Sequence, residues 1–385
     1  MAVTTEDRVA GYLGAIRDLA PLVAEHRDLF DHQRRLPDVV FAGLSDAGLF
    51  RLWLPKALGG PELSPLQFMS VVEAASALDG SVGWLVGNGG GMSRVGGYLP
   101  AAIAREWFSA PRAFVVSATG AVGKAVPVEG GYRVTGRWPF GSGAHHATHF
   151  MGLAAVEDEN GRELPMICCY FAREHILVDD TWHVSGLRGT GSCDFEARDA
   201  FASADCVHPF LGLAPTQPGL LYRMPQVSVF PWTVSVVPLG IARGAIGTFV
   251  EMASRKVRAG TTALLRDRET VQAMIGRAEA LHGAARAFLI DAMTELMAAT
   301  DVGADRLVRA RAMLRVACAH AAESAVRIVD MLAADAGAAA IFERCALERA
   351  VRDVHAAVKH VAMSPSSYIV AGRQGLGLDP GTARF

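Results

Sequence analysis

From Thr5 to Pro111 apolar residues recur at three- and four-residue spacing, as Val9, Leu13, Ile16 and Leu19 do, and Pro37, Gly59-Gly60-Pro61 and Pro100 punctuate the later segments. The pattern predicts a helical domain over residues 1–111. Between about Ala113 and Val207 the period changes. Short runs rich in Val, Phe and Tyr are broken by turn residues: Gly130-Gly131 leads into Tyr132, Val134 and Gly136, and Asp158 to Gly161 separates two apolar runs. A small antiparallel β domain is therefore expected over 112–210. From Trp232 onward, segments rich in Ala, Leu, Arg and Glu return, from about Trp232 to Gly260, Asp267 to Ala299, Asp305 to Ala336 and Ala340 to His360. They predict a helical bundle with its tail over 211–385. One of these helices carries Leu281, Ala284, Ala285, Phe288, Leu289 and Ala292, a broader apolar face than one partner in a small bundle needs, so burial between subunits is expected.

Helices, then strands, then helices define an α+β class, mainly α, and exclude the alternating order of a doubly wound fold. Gly87, Gly89, Gly90 and Gly91 lie inside an apolar helical stretch, and no Gly-Lys-Ser/Thr follows any glycine cluster, so no phosphate loop is read there.

Composition narrows the reading. A chain of 385 residues, 51% hydrophobic and 20% charged, can bury a large core. Its 37 basic and 39 acidic residues nearly cancel and form no polybasic block, so neither nucleic acid nor an anionic membrane is an expected partner, and the ligand is expected to be small. No apolar run reaches the roughly eighteen residues of a membrane span, and Glu6 and Asp7 stand where a signal peptide would be basic, so a cytoplasmic location is expected. The six cysteines lack paired spacing and read as reduced, packed thiols.

Several segments carry chemistry. Gly59-Gly60-Pro61 follows Leu54-Pro55; Val134 to His146 reads Val-Thr-Gly-Arg-Trp-Pro-Phe-Gly-Ser-Gly-Ala-His-His; Thr181 to Asp194 reads Thr-Trp-His-Val-Ser-Gly-Leu-Arg-Gly-Thr-Gly-Ser-Cys-Asp. Trp138, Phe140 and Trp182 can present a flat apolar surface, with Ser142 and the backbone of Gly143 as hydrogen-bond donors beside it; taken alone, Trp138 and Phe140 can equally be alternating core residues of a strand and Ser142 part of a turn. Between Arg188 and Ser192, backbone N–H groups and the hydroxyls of Thr190 and Ser192 can form an anion-binding nest with Arg188 beside it, or the run can be a glycine-rich strand connection with Arg188 paired to a surface acid. His145, His146 and His149 lack a carboxylate or cysteine at ligand spacing and read as solvated turn residues, not as a metal site.

With the domain order and length, these segments resemble the acyl-CoA dehydrogenase superfamily. The Trp138 to Gly143 run is similar to the signature of its flavin monooxygenase branch, and a helix from Glu348 to His360 containing Arg352-Asp353-Val354-His355 resembles that branch's final helix. The resemblance implies an acyl-CoA dehydrogenase-like fold and the oxygenase component of a two-component flavin-dependent monooxygenase. In that branch reduced FMN or FAD, supplied by a separate flavin reductase, binds between the β domain and the helical domains. It reacts with O2 to give a C4a-hydroperoxide that oxygenates carbon, nitrogen or sulfur of a small organic substrate, in some cases a biosynthetic intermediate. The resemblance also implies a homotetramer, Trp138, Phe140 and Trp182 against the flavin ring, Ser142 and the Gly143 backbone at its polar edge, and Arg188, Thr190 and Ser192 near its phosphate or ring. It further implies Arg255 as a basic contact to a neighbouring subunit's cofactor, His360 as the acid/base with Ser142 beside the flavin, and Trp84, Asn88 and Met92 as substrate-facing residues. His355 is expected to pack or cap within the helix.

Two departures shape the expected chemistry. The family's dehydrogenases take an α-proton with a carboxylate in a segment of aromatic, Glu, Gly and Thr, where this chain has Ala362-Met363-Ser364; this argues against thioester desaturation. Aromatic hydroxylases of the branch often carry a histidine seven or eight residues after the helix tryptophan, where this chain has Gly91 and Met92 after Trp84. The glycine-rich helix is expected to leave room for a bulky or non-phenolic substrate such as a polyketide, an indole or an amino sugar. The rival expectations are a dehydrogenase or oxidase of the same fold, with His360 as base, and a non-catalytic ligand-binding relative.

Overall fold

The computed structural model describes residues 5–157, 162–257 and 260–381, so the turn expected from Asp158 to Gly161 lies outside the described residues. Among the described residues five α-helices come first: α1 (Thr5–Gln33), α2 (Asp38–Asp46), α3 (Pro65–Leu78), α4 (Gly80–Met92) and α5 (Ala101–Ser109). Seven strands come next: β1 (Val115–Val128), β2 (Gly131–Gly141), β3 (His149–Glu157), β4 (Glu163–Ala172), β5 (Leu177–Asp179), β6 (Cys193–Ser203) and β7 (Val207–Pro209). The chain then returns to helices: α6 (Leu220–Arg223), α7 (Gln226–Ser235), α8 (Val237–Ala253), α9 (Glu269–Ala299), α10 (Ala304–Ala336), α11 (Ala346–Ala357) and α12 (Ser366–Gly375). This is the mainly helical α+β order that the hydrophobic pattern predicts.

Two compact units are formed by the described residues, those within Met1–Ser64, Leu85–Val184 and Arg188–Arg223 making the first and those within Pro65–Trp84, Ser185–Leu187 and Met224–Phe385 the second. The first holds the sheet, in the order β5-β6-β2-β1-β3-β4-β7. Its pairings are antiparallel except for β1 with β3, which run parallel, a pairing the alternation along each strand does not encode. Trp138, Phe150, Phe171 and Phe195 are fully or almost fully buried in it. Glycines make the space: a Cβ added at Gly123, Gly136 or Gly152 would come within 2.7, 2.6 and 2.5 Å of the Trp138 ring.

In the second unit α3 packs on α8, and α10 packs on α8, α9, α11 and α12. Close approach of α3 and α8 depends on small residues, since a Cβ at Gly240 would lie 2.4 Å from Ser76 Cβ and one at Gly244 would lie 2.3 Å from the Ala77 carbonyl oxygen. The stretch Gln226–Ala253 is long and apolar enough to span a membrane, but 72% of its most apolar window is buried within the protein, as in a core helix pair. Asp79 caps α4, its Oδ1 accepting from the backbone N–H of Ser81 at 2.9 Å.

The final-helix expectation needs correction. α11 begins at Ala346 and ends at Ala357, so His360 lies beyond it, at the cap of a short 3-10 helix, Val361–Met363.

Candidate active site

The first cluster forms where β2 ends. Regular alternation would place Trp138 and Phe140 on one face of the strand. Instead the β2–β6 register shifts between Trp138 and Gly141, and Phe140 takes a left-handed backbone, φ 64°. A non-glycine residue at that φ is strained, and strain of this kind collects at functional sites. Its consequence is a division of labour. Trp138 is 0% exposed, stacks on Phe195 and donates from Nε1–H to the Leu153 carbonyl at 2.9 Å. The tryptophan expected to lie against a flavin is therefore a sheet-core residue with no free face. Phe140 turns outward, 67% exposed, with the half-buried Trp182 meeting its ring edge-on at 6.3 Å.

Two residues beyond Phe140, Ser142 Oγ lies 2.9 Å from Ser192 Oγ, which in turn lies 2.7 Å from Thr190 Oγ1. The three hydroxyls form a buried row. The Gly143 N–H, expected to serve the cofactor, instead donates to the Thr190 carbonyl at 2.8 Å and ties the end of β2 to the Arg188–Thr190 turn. Donors for a ligand's polar edge must then come from the hydroxyls. Arg188 is half-buried and donates from Nε to the Val184 carbonyl at 2.9 Å. In the same unit Asn88 is half-buried and Met92 is 5% exposed. The expected room along their helix is absent at two of its glycines: an added Cβ at Gly89 would come within 2.3 Å of Phe114, and one at Gly90 within 2.9 Å of the Leu49 carbonyl oxygen. Aromatic and backbone atoms already fill that volume.

The second unit carries the imidazole. His360 Nδ1 accepts from the Ala362 N–H at 3.2 Å, and the ring meets Trp84, 8% exposed, edge-on at 5.7 Å. Burial holds its pKa down to about 4. The Arg-Asp-Val-His run divides into separate tasks. Asp353 Oδ1 accepts from Leu187 N–H at 2.7 Å, and Arg352 donates to Glu348 and to the Ser185 carbonyl, so these side chains clamp the turn Ser185–Leu187. Gly186 is required in that turn, since a Cβ there would lie 2.0 Å from the Arg352 carbonyl oxygen. His355 neither packs nor caps; it is exposed and bonded to Asp330 at 2.9 Å. Arg255 is an exposed residue paired with Glu251 at 2.8 Å.

Comparison with known proteins places this geometry. Residues 15–99 match the model of the acyl-CoA dehydrogenase N-terminal domain, and residues 232–365 match that of the acyl-CoA dehydrogenase C-terminal domain. The oxygenase subunit HsaA, a flavin-dependent monooxygenase of Mycobacterium tuberculosis, is 30% identical over 384 residues, covering 96% of each chain. The chain belongs to the acyl-CoA dehydrogenase family, among its flavin-dependent monooxygenases. The indole-3-acetate monooxygenase of Pseudomonas putida is also 30% identical, over 96% of this chain and 93% of its own. Among solved structures, XiaF of Streptomyces sp., in complex with FADH2 and glycerol, superposes with a TM-score of 0.89 at 26% identity, covering 98% of both chains.

The family's flavin fits what this monooxygenase presents in its first unit. An exposed aromatic face on strained backbone stands two residues from a row of buried hydroxyls, which is what a flat ring with one polar edge requires. Sequence reasoning missed the Asp353 environment. This carboxyl is 3% exposed, and burial together with the neighbouring Asp79 carboxylate raises it to about 7. It also misplaced the histidines after β2. His146 stacks on Phe41 at 4.0 Å and bonds the Leu36 carbonyl, and His149 stacks on Trp107 at 4.0 Å with its pKa lowered by burial to about 4. Only His145, 3.5 Å from Cys193 Sγ, is an exposed turn residue of the kind expected. The signal available was the spacing of aromatics, Phe41 and Trp107, whose partners only the fold identifies.

Proposed function

We propose that this monooxygenase is the oxygenase component of a two-component system, taking reduced FMN or FAD from a separate flavin reductase and inserting one oxygen atom from O2 into a small organic substrate. The observation that carries the reading is the outward-turned Phe140 beside the Ser142–Ser192–Thr190 row. Phe140 and Trp182 would lie against the flavin ring, and the hydroxyls of Ser142, Ser192 and Thr190 would donate to its polar edge. When bound, reduced flavin supplies the two electrons that activate O2. Trp138 acts at one remove, fixing the strand that carries Phe140.

His360 and Trp84 are proposed as ligand-facing residues of the second unit; taken by itself, the first unit is proposed to offer Asn88 and Met92 to a ligand, and Arg255 is proposed as a contact to the cofactor of a neighbouring subunit. Homotetramer formation is part of the proposal. It is supported by large apolar side chains left exposed in the single chain, Val302, Val361, Ile369 and Leu376, and by the half-buried Leu281 and Phe288 on α9. A cytoplasmic location is likewise proposed, in keeping with six free cysteines. A non-phenolic substrate is supported by Met92, and the indole-3-acetate activity named for a relative supplies the first probe.

The test is to supply reduced FMN or FAD from a generic reductase under 18O2, with indole-3-acetate and related indoles as probes. One labelled oxygen per product, and no turnover without reduced flavin, is the expected outcome. Anaerobic bleaching of protein-bound oxidised flavin by a probe, with no label incorporated under oxygen, would establish a dehydrogenase instead.

A further inference from the structure

We infer that His360 serves its ligand as a fixed hydrogen-bond donor through Nε2–H and does not act as a base. The inference rests on the oxygenase reading only for the identity of the ligand; the state of the ring depends on the protein alone.

His360 stands three residues past α11 and caps the short helix Val361–Met363 with its ring. The Ala362 backbone N–H, 3.2 Å from Nδ1, can only donate. Nδ1 must therefore offer its lone pair, and the neutral ring carries its hydrogen on Nε2. Protonating the ring would place the second hydrogen on Nδ1, breaking the cap and setting a donor against a donor. Burial likewise disfavours the charged ring and lowers its pKa. Both α7 and α10 pack on the 3-10 helix, and α4, which has no ionisable side chain, sets Trp84 against the ring. α7 contains no ionisable side chain, and none of the arginines, acids or the histidine of α10 shifts the ring. One state is thus expected throughout the neutral range.

A base at Nε2 would need that nitrogen bare, which this tautomer forbids. Turning the ring over would cost the cap bond and disturb the edge contact with Trp84. What Nε2–H recognises is an acceptor: a carbonyl, ether, carboxylate or other oxygen of the bound ligand. A ring held in this state cannot ionise its ligand, so it suits a substrate whose reacting atom is already nucleophilic on arrival. An N-heteroaromatic or a thioether has this character; a phenol that must first ionise does not.

The ring state is read by 15N NMR of protein labelled in its 12 histidines, with His360→Gln used to assign the resonance. Bare Nδ1 and protonated Nε2, unchanged between about pH 5.5 and 8.5, are expected. A ring protonated at Nδ1, or one titrating in that interval, overturns the inference. This measurement needs no flavin and no substrate, so it fails separately from the oxygenase reading. In turnover, His360→Gln presents an amide N–H in place of Nε2–H and is expected to keep kcat/KM within about fivefold, whereas His360→Ala loses about ten- to a hundredfold. Equal losses in both variants, or a limb in log kcat against pH that only the parent shows, would sink the donor role.

Discussion

Trp138→Phe and Phe140→Ala separate the two tasks that one Trp-x-Phe run can carry. The Trp138 ring is 0% exposed, donates to the Leu153 carbonyl at 2.9 Å, and fills the space left by Gly123, Gly136 and Gly152. Phe in its place leaves a buried carbonyl without that donor, at about 1–3 kcal/mol. It also leaves a void of roughly 35–40 Å3, about 1 kcal/mol at ~24 cal/mol per Å3. The expected loss of stability is about 2–4 kcal/mol, read as a lower urea midpoint at unchanged slope. A thermal scan is blunter, because unfolding a 385-residue chain carries an entropy of about 0.8 kcal/mol/K and the same loss moves Tm by only about 3–5 °C. Reduced-FMN affinity of Trp138→Phe, measured anaerobically, stays within about twofold of the parent, since the ring faces no ligand. Phe140→Ala should do the reverse. Its ring is 67% exposed, so folding shifts by less than about 0.5 kcal/mol, while reduced-flavin affinity falls about tenfold, the ~1.4 kcal/mol of an aromatic stacking contact. Weakened flavin binding by Trp138→Phe at an unchanged midpoint, or destabilisation by Phe140→Ala, refutes the division.

Two further changes probe the packing behind the site. Asp353 holds its proton more tightly in the folded chain than in the unfolded one, so the stability it permits is fullest below about pH 4, declines up to about pH 7 and is level above. Asp353→Asn keeps an acceptor for the Leu187 N–H and cannot ionise; it should match the parent at pH 4 and exceed it at pH 8 in urea midpoint, and parallel curves would contradict the buried-pair account. Gly152→Ala puts a Cβ 2.5 Å from the Trp138 ring and should cost about 1–3 kcal/mol, whereas Gly120→Ala, with nothing within 4 Å, should stay within about 0.5 kcal/mol. Equal midpoints for the two alanine variants would mean that the ring can give way.

Period and punctuation along the chain were enough to find the helices, the strand-rich middle and the hydroxyl-bearing turns, because those signals are local. Ser142 and Ser192, fifty residues apart, meet because both flank the β2–β6 pairing, a contact that their two separate motifs did not announce. Trp138 was misread because alternation treats it and Phe140 alike, and nothing in the residue letters announces a left-handed phenylalanine. Three strand glycines facing one indole were visible as glycines, but not as a socket, since they lie on three different strands. His360 was placed on a helix because Val358 and Lys359 are acceptable helix residues; the chain leaves the helix there so that the imidazole can cap the 3-10 turn Val361–Met363. The Asp79–Asp353 pair joins the start of α4 to α11, and no local pattern predicts a contact between carboxyls so distant in sequence.

The same geometry bears on why this member of the family departs from thioester desaturation. That reaction needs a carboxylate that can reach a substrate carbon and accept its proton. The carboxyl of the Arg-Asp-Val-His run is 3% exposed, engaged with Leu187 and raised by its neighbour, and the following segment Ala362-Met363-Ser364 carries no carboxylate. What the 3-10 turn offers instead is an imidazole locked as a donor by its own cap. A donor cannot start a reaction by removing hydrogen from carbon. It can hold an oxygen acceptor of the bound ligand in place, so the absence of a reachable carboxylate and the fixing of His360 are two aspects of one chemistry.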